Sequence, residues 1–337
     1  MDKVYIIAEV GPNHNGDVQL ALKMVDEIAK TGVSAIKFQM YDPYELYSAD
    51  SIMAKYQKEN VDAKSILDMS RSHQLQNEEH LLLYERCKEL GVDYICTAFD
   101  MKSMLYLEQH CDMAYYKIAS GEIYSIDILQ HIADHTKPII MSTGMADYKT
   151  IASVLEILNA KREKDITILH CISNYPVRYN EVNLRNMLEI QKRFGCRVGF
   201  SDHTIGNECA IAAVALGATV IEKHVTIDKT LPGPDHKASI DIPELKNLVD
   251  SIRHIELAMG TEEKAYSNEQ KEIASVARKS IVAKRNIPKG STISHEDICF
   301  KRPGTGFSPF MLDNVIGKVA KTDILENRVI KEEYIGD

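Results

Sequence analysis

Two short stretches concentrate groups able to grip a cation: Ser201-Asp202-His203-Thr204 and Glu222-Lys223-His224. Each closes an apolar run, Val198-Gly199-Phe200 in the first case and Ala218-Thr219-Val220-Ile221 in the second. The runs read as consecutive parallel strands joined by a helix over Cys209–Leu216. Imidazoles at the carboxyl ends of neighbouring strands can converge on one ion. Two neutral nitrogens, with positions left for water and substrate, suit a catalytic metal better than a closed structural one. A lone histidine at a strand end is ordinarily just hydrogen-bonded; a pair at equivalent places on successive βα units favours the metal.

Other strand ends carry a matching set. The first is followed by Glu9 and then Asn13-His14-Asn15-Gly16, and the second ends in Lys37-Phe38-Gln39, where the two-residue strand period puts Lys37 and Gln39 on one face. Thr97, Lys117, Ser120, Ser142, Ser173 and Ser201 follow at later strand ends, with Tyr175 close behind Ser173. Two lysines among hydroxyls and glycine-flanked amides make a bowl suited to a phosphate and a carboxylate. Lys37 lies in the otherwise apolar run Ala35-Ile36-Lys37-Phe38, where an unpaired cation would be costly. Glu9 and Glu122 are placed to act as acid, base or sugar-hydroxyl acceptor; the alternative for either is a salt bridge to a bowl lysine. Pro232-Gly233-Pro234-Asp235-His236 is a stiff loop that presents Asp235 over the rim, or else plain turn chemistry.

The elements that must position these groups alternate regularly. Strands are predicted at Val4–Ala8, Ala35–Gln39, Tyr94–Ala98, Tyr116–Ile118, Ile139–Ser142, Ile166–Cys171, Val198–Ser201 and Val220–His224. Helical patterns between them include Leu20–Thr31, Glu78–Leu90, Ile126–His135, Ile151–Leu158 and Val182–Arg193. Ile242–Met259 follows the last strand, with Pro243 in its first turn. This α/β count is that of a (β/α)8 TIM barrel over residues 1–260, with a doubly wound open sheet as the competitor. The long segment from Tyr41 to Gln76, with Tyr41, Tyr44, Tyr47 and Tyr56, reads as a loop over a site or interface. Residues 261–278 read as a polar linker containing some helix. Residues 279–337 read as a small, mostly β module with a tight turn at Pro288-Lys289-Gly290-Ser291.

Composition sets the outer limits. The 337 residues are 45% hydrophobic and 26% charged, ordinary for a globular protein. A net charge of −9 without a Lys/Arg stripe argues against nucleic-acid binding. The seven scattered cysteines include no CxxC pair and fit reduced thiols. No apolar stretch is long enough for a signal peptide or membrane span, so the expected location is cytoplasmic.

On these motifs the chain resembles the sialic acid (N-acetylneuraminate and related nonulosonate) synthase family. The resemblance rests on Ala8-Glu9-Val10-Gly11, Lys37-Phe38-Gln39, Tyr116 to Glu122, Ser142-Thr143-Gly144-Met145, Ser201-Asp202-His203, Glu222-Lys223-His224, Gly233-Pro234-Asp235-His236 and Lys301-Arg302-Pro303-Gly304. It implies condensation of phosphoenolpyruvate with an open-chain N-acyl amino sugar, N-acetylmannosamine first, by water addition and C–O cleavage. A 2,4-diacetamido-2,4,6-trideoxymannose acceptor, giving legionaminate, is the alternative. By the same resemblance Lys37, Thr97, Lys117, Ser120, Ser142, Ser173 and Ser201 contact phosphoenolpyruvate. Glu9, Tyr175 and Asp235 contact the sugar, Gln39 is expected to bind substrate beside Lys37, and Glu122 lies near the reacting carbons. His203 and His224 hold a divalent metal, manganese before magnesium or cobalt. The C-terminal module resembles the antifreeze-like (SAF) domain, implying a swapped homodimer in which Arg302 reaches the partner's sugar. The sequence departs from the family's usual pattern at Val177-Arg178, where Arg178 either alters the sugar pocket or lies in solvent. Outside the family, a metal aldolase using free pyruvate and a non-catalytic sugar-binding protein stay open.

Overall fold

The computed structural model describes residues 3–160, 163 and 165–337. Two compact units emerge, Met1–Gly260 and Thr261–Asp337. In the first, eight strands form one parallel sheet: β1 (Tyr5–Glu9), β2 (Ala35–Met40), β3 (Asp93–Ala98), β4 (Tyr116–Ile118), β5 (Ile139–Ser142), β6 (Ile166–Cys171), β7 (Arg197–Asp202) and β8 (Val220–His224). Their order is β3-β2-β1-β8-β7-β6-β5-β4, and β3 packs beside β4, so the sheet curls into a near-closed barrel and the open-sheet competitor falls away.

Two-residue periodicity divides each strand between the barrel interior and the helix-covered outside. Ile7, Ala35, Ile95, Ile140, Leu169 and Val220 form an apolar plug inside the barrel. The outward-facing residues, among them Ile6, Ile36, Phe38, Ile168 and Ile221, join the surrounding helices in the main core. Two residues beyond the plug on the same strand faces come Glu9, Lys37, Thr97, Ser142, Cys171 and Glu222. The barrel therefore fills its middle with hydrocarbon and its carboxyl-terminal rim with polar groups. Gly199 belongs to the plug tier, and a Cβ there would meet Val220 O at 2.3 Å and Leu169 Cδ2 at 2.6 Å. Only glycine lets β7 lie this close to its neighbours.

Helix ends follow sequence signals. Helix Ile242–Met259 starts at a capping box in which Asp241 and Glu244 each accept the other's backbone N–H at 2.9 Å, with Pro243 in the first turn. The expected helix Val182–Arg193 is instead two pieces, Tyr179–Val182 and Arg185–Phe194, because Asn183 turns left-handed (φ 48°) between them. The segment expected as a loop after β2 contains three short helices, Pro43–Leu46, Lys55–Asn60 and Ile66–Ser72. The last is capped by Ser65, which accepts from Asp68 N at 3.1 Å, and buries Ile66 and Met69 one turn apart.

In the second unit, helix Asn268–Ala277 occupies much of the stretch read as linker. Ser267 caps it, but none of its residues is buried, so no apolar stripe announced it. Beyond it come the antiparallel pairs β9 (Ser280–Ala283) with β10 (Ile298–Lys301), and β11 (Val319–Ala320) with β12 (Ile335–Gly336). Ile281, Ile287, Ile293, Ile324 and Ile330 build their core. Ser291 N bonds Pro288 O at 3.1 Å across Gly290 at φ 85°, the expected tight turn. Among the described residues, no helix is long and apolar enough to cross a membrane.

Candidate active site

The carboxyl-terminal rim of the barrel opens into a bowl of about 410 Å³. It gathers Glu9, Lys37, Gln39, Lys117, Ser120, Ser142, Ser173, Tyr175, Ser201, His203, His224 and Asp235. Residues more than 200 positions apart in the chain share this lining because parallel strands deliver their ends to one rim.

Its floor is a buried charge network. Lys37 Nζ lies 3.0 Å from Glu9 Oε2 and 3.5 Å from Glu222 Oε2. Lys117 Nζ lies 3.6 Å from that same Glu222 oxygen and donates to Ser142 Oγ at 2.8 Å. Glu222 Oε1 accepts from Ser201 Oγ at 2.8 Å, and Gln39 Nε2 donates to Glu9 Oε1 at 2.6 Å. Burial opposes the charge on Lys37, but Glu222 and Glu9 outweigh it and raise its pKa. Burial lowers that of Lys117, which has Glu222 alone within ion-pair distance and Lys37 nearby. Glu222 stays ionised against its own burial because Lys117 and Lys37 face it, whereas burial raises Glu9. Lys37 is thus held charged, with Lys117 beside it, at the base of a cavity that has room for an anion.

Glu222 was not singled out from the sequence as a site residue. The signal was present: it stands two residues before His224 on β8 and so points the same way. Lys223, between them, faces outward and is almost fully buried; its Nζ reaches Asp202 Oδ2 at 2.7 Å and Thr204 O at 2.6 Å. Asp202 Oδ1 in turn accepts from Thr204 N at 2.8 Å. This clamp fixes the chain on both sides of His203.

The His203 and His224 ring centroids are 5.3 Å apart at 64°. His203 Nδ1 lies 2.7 Å from Ile172 O. A carbonyl only accepts, so Nδ1 donates and Nε2 is left to ligate, the usual tautomer lock of a metal-binding histidine. Burial works against protonation of His203, yet Cys171, with Sγ 3.7 Å away, raises it to about 9, and a bound cation would displace that proton. His224 is held well below its ordinary value by burial and the neighbouring charge of His203. Its buried Nδ1 has no hydrogen-bond partner, nor has the buried Oδ1 of Asp235, whose Oδ2 lies 3.6 Å from that nitrogen. Burial pushes Asp235 up to about 7. Unpaired buried donor atoms beside a locked imidazole fit a divalent cation. The Tyr175 ring covers both imidazoles, with centroids at 4.1 and 5.3 Å.

Ser120 Oγ accepts from Gly144 N at 2.9 Å, and a Cβ on Gly144 would lie 2.3 Å from Ser173 Oγ, so the chain approaches these hydroxyls too closely for any other residue. The helical segment after β2 adds Tyr41, Tyr47, Gln57 and His73 to the bowl wall. Its Asn60 donates to Pro234 O at 3.2 Å and accepts from Lys237 Nζ at 2.9 Å, tying it to the loop that carries Asp235. Tyr41 and Tyr47 were among the tyrosines noted in this long segment; Gln57 and His73 carried no motif, and only its length pointed to them.

Two expected site residues are absent from the bowl lining, and a third belongs to the second unit. Thr97 pairs in register with Gln39, but its hydroxyl is fully buried without a partner and does not reach the bowl surface. Glu122 is not part of the bowl lining in this structure. β4 ends at Ile118, and the turn Ala119-Ser120-Gly121 redirects the chain into a 3-10 turn at Glu122–Tyr124. Its Oε2 accepts from Ser125 Oγ at 2.6 Å, and it lines a different, open cavity of about 870 Å³ with Asp100, Lys102 and Asp127. Arg302 belongs to the second unit and is exposed there. Arg178, the departure noted in the sequence, is exposed and pairs with Glu181, outside the bowl.

Comparison with known proteins agrees with this geometry. The NeuB family model matches residues 24–264, and the SAF domain model matches residues 278–334. N,N'-diacetyllegionaminic acid synthase of Campylobacter jejuni is 41% identical, over 98% of this chain and 100% of that protein. The enzyme of the same name from Legionella pneumophila is 39% identical, over 98% and 94%. The crystal structure of N-acetylneuraminic acid (sialic acid) synthetase from Leptospira borgpetersenii superposes with a TM-score of 0.72 at 33% identity, covering 81% of this chain and 90% of that one. With a barrel and C-terminal module each matched and relatives aligned almost end to end, the chain belongs to the NeuB family.

Proposed function

We propose that the protein is a phosphoenolpyruvate-dependent nonulosonate synthase, joining phosphoenolpyruvate to an open-chain N-acyl amino sugar with release of phosphate. The observation that carries this is the pair of buried lysines braced on Glu222 beside two imidazoles at one rim. A free-pyruvate aldolase would not require so deep an anion seat, and a mere sugar-binding module would require neither lysines nor imidazoles there.

Lys37 and Lys117 hold the phosphate and carboxylate of phosphoenolpyruvate, with Ser120, Ser142, Ser173 and Ser201 as directed donors. C3 of the enol ester attacks the aldehyde carbon, forming the C–C bond and leaving positive character at C2. Water adds at C2 and loses a proton, the former aldehyde oxygen gains one, and the C2–O bond to phosphate breaks. Manganese, or in its place magnesium or cobalt, held by His203 and His224 would supply polarisation of the aldehyde oxygen. Asp235, beside His224, contacts the sugar at the metal side of the bowl. Glu9, Gln39 and Tyr175 orient the sugar, and Arg302 reaches it from the second unit of a partner copy in a swapped homodimer. Seven free cysteines accord with work in a reducing cytoplasm.

The acceptor divides two readings, N-acetylmannosamine and 2,4-diacetamido-2,4,6-trideoxymannose. Higher identity to the two legionaminic acid synthases than to the neuraminic acid synthetase supports the second. Purified protein incubated with phosphoenolpyruvate, manganese and each sugar should release phosphate, faster with the diacetamido sugar. In labelled water the solvent oxygen should enter the sugar acid and not the phosphate. Phosphate release that ignores both sugars would overturn the synthase reading.

A further inference from the structure

Away from the bowl, the described residues contain one trio of metal-ligating side chains whose ligand atoms all lie within 4.8 Å of one another: Glu108, His131 and His135. Glu108 comes from helix Met101–His110, His131 from the last turn of helix Ile126–Ala133, and His135 from the residues just past it. A four-residue spacing places two imidazoles one turn apart on one helix face, and the rings are 4.7 Å apart here. Glu108 Oε2 lies 2.8 Å from His131 Nε2, and its Oε1 lies 3.9 Å from His135 Nε2.

The tautomer of His135 is set by its neighbour. Its Nδ1 is 2.9 Å from the carbonyl oxygen of His131, so Nδ1 donates and Nε2, on the side of Glu108, is the basic nitrogen. The Tyr116 hydroxyl donates to Glu108 Oε1 in a short hydrogen bond and so orients the carboxylate. A locked imidazole, here His135, and an oriented carboxylate are supports that metal sites use. Both histidines face the same carboxylate, His131 at hydrogen-bond distance and His135 at ion-pair range. In a tetrahedral zinc site the ligand atoms stand about 3.3–3.5 Å apart. The separations here, from 2.8 Å for the His131 contact up to the 4.8 Å limit, bracket that spacing. All three side chains are partly exposed, at 19% for Glu108, 22% for His131 and 42% for His135, so an ion and a water ligand can enter from solvent.

We propose that Glu108, His131 and His135 form a second divalent-metal site, of the zinc class, on the outer wall of the barrel, with solvent completing the coordination. It joins two successive barrel helices and, through Tyr116, the outer face of β4. Imidazole and carboxylate donors of this number suit zinc, copper or nickel better than magnesium or calcium.

The test uses the full chain carrying His203→Ala and His224→Ala, which disables the bowl pair, after stripping with a chelator. Calorimetric titration with Zn2+ should show one equivalent bound at micromolar affinity, together with a raised Tm. Co2+ should give the strong visible bands of a tetrahedral site. Adding His135→Ala, at an exposed position, should weaken Zn2+ at least tenfold and abolish the Tm rise. Should the double variant fold poorly, His135→Ala in the otherwise natural chain should lower bound zinc from two equivalents to one. Zinc binding and Tm that ignore His135→Ala and Glu108→Gln would overturn the proposal.

Discussion

Lys37 and Lys117 lean on one oxygen: their ammonium nitrogens lie 3.5 and 3.6 Å from Oε2 of Glu222. One carboxylate therefore faces two buried lysines and limits the desolvation cost of charge on them; in the proposed function it holds them for an anionic substrate. Replacing it with an isosteric amide separates charge from shape. Glu222→Gln should raise KM for phosphoenolpyruvate at least tenfold. It should also lower unfolding free energy by about 3–5 kcal/mol, the usual cost of stranding a buried charge. Steady-state kinetics and urea denaturation check the two parts. An unchanged KM would remove Glu222 from the anion seat.

The imidazole pair makes its own demand. His203→Ala and His224→Ala should each lower kcat by about 10³ or more, in keeping with the several kcal/mol that metal polarisation supplies. Far-ultraviolet circular dichroism should stay unchanged. Chelator should inactivate the natural chain and manganese restore it; full activity after chelation would sink the metal role.

Arg302 lies in the second unit, so its contribution tests the swapped dimer. Arg302→Ala should raise KM for the N-acyl sugar far more than KM for phosphoenolpyruvate, and mixing it with a bowl-inactive variant such as His203→Ala should restore partial activity. Equal effects on both substrates, with no complementation, would argue against a contact supplied by the partner copy.

Gly199 sits where a methyl group has no room, 2.3 Å from a β8 carbonyl. Gly199→Ala should destabilise the barrel by about 1–3 kcal/mol, the typical cost of overpacking. A lowered Tm checks this, and an unchanged Tm would mean that β7 and β8 part easily.

Acid should weaken the fold through three buried histidines. Burial lowers His14 to about 3 and both His80 and His236 to about 4, from an ordinary 6.5. Each ring is neutral when folded and bonded accordingly: His14 Nδ1 accepts from Gly16 N, His80 meets the Tyr94 hydroxyl and His236 that of Thr226. The unfolded chain takes up these protons near 6.5 while the native one resists until 3–4, so the stability they confer is complete above 6.5 and drains away below it. The expected slope is about 1.4 kcal/mol per pH unit for each histidine. Urea midpoints between pH 7 and 5 measure it.

Much of this was legible in the chain because strand period and strand-end chemistry coincide. All eight strands, the pairing of Lys37 with Gln39 on one face, and the convergence of His203 with His224 follow from counting by two along apolar runs. Glu122 shows where counting stops: β4 ends four residues earlier, and beyond a strand the direction of a side chain depends on turn geometry that no period encodes. Helix Ile66–Ser72 escaped because two turns are too few to show a period, and the helix within residues 261–278 could not be bounded because none of its residues is buried. Gln57 and His73 reach the bowl only through the docking of their segment, a tertiary event with no local signature.

Strand β8 alternates in function as well as in direction, with Glu222 and His224 turned to the cavity and Lys223 turned to Asp202 behind it. A slip of a single residue would bring an ammonium where an imidazole belongs and leave Asp202 without its clamp. Substitutions at Val220, the plug residue two positions below Glu222, should therefore lower activity while the barrel still folds.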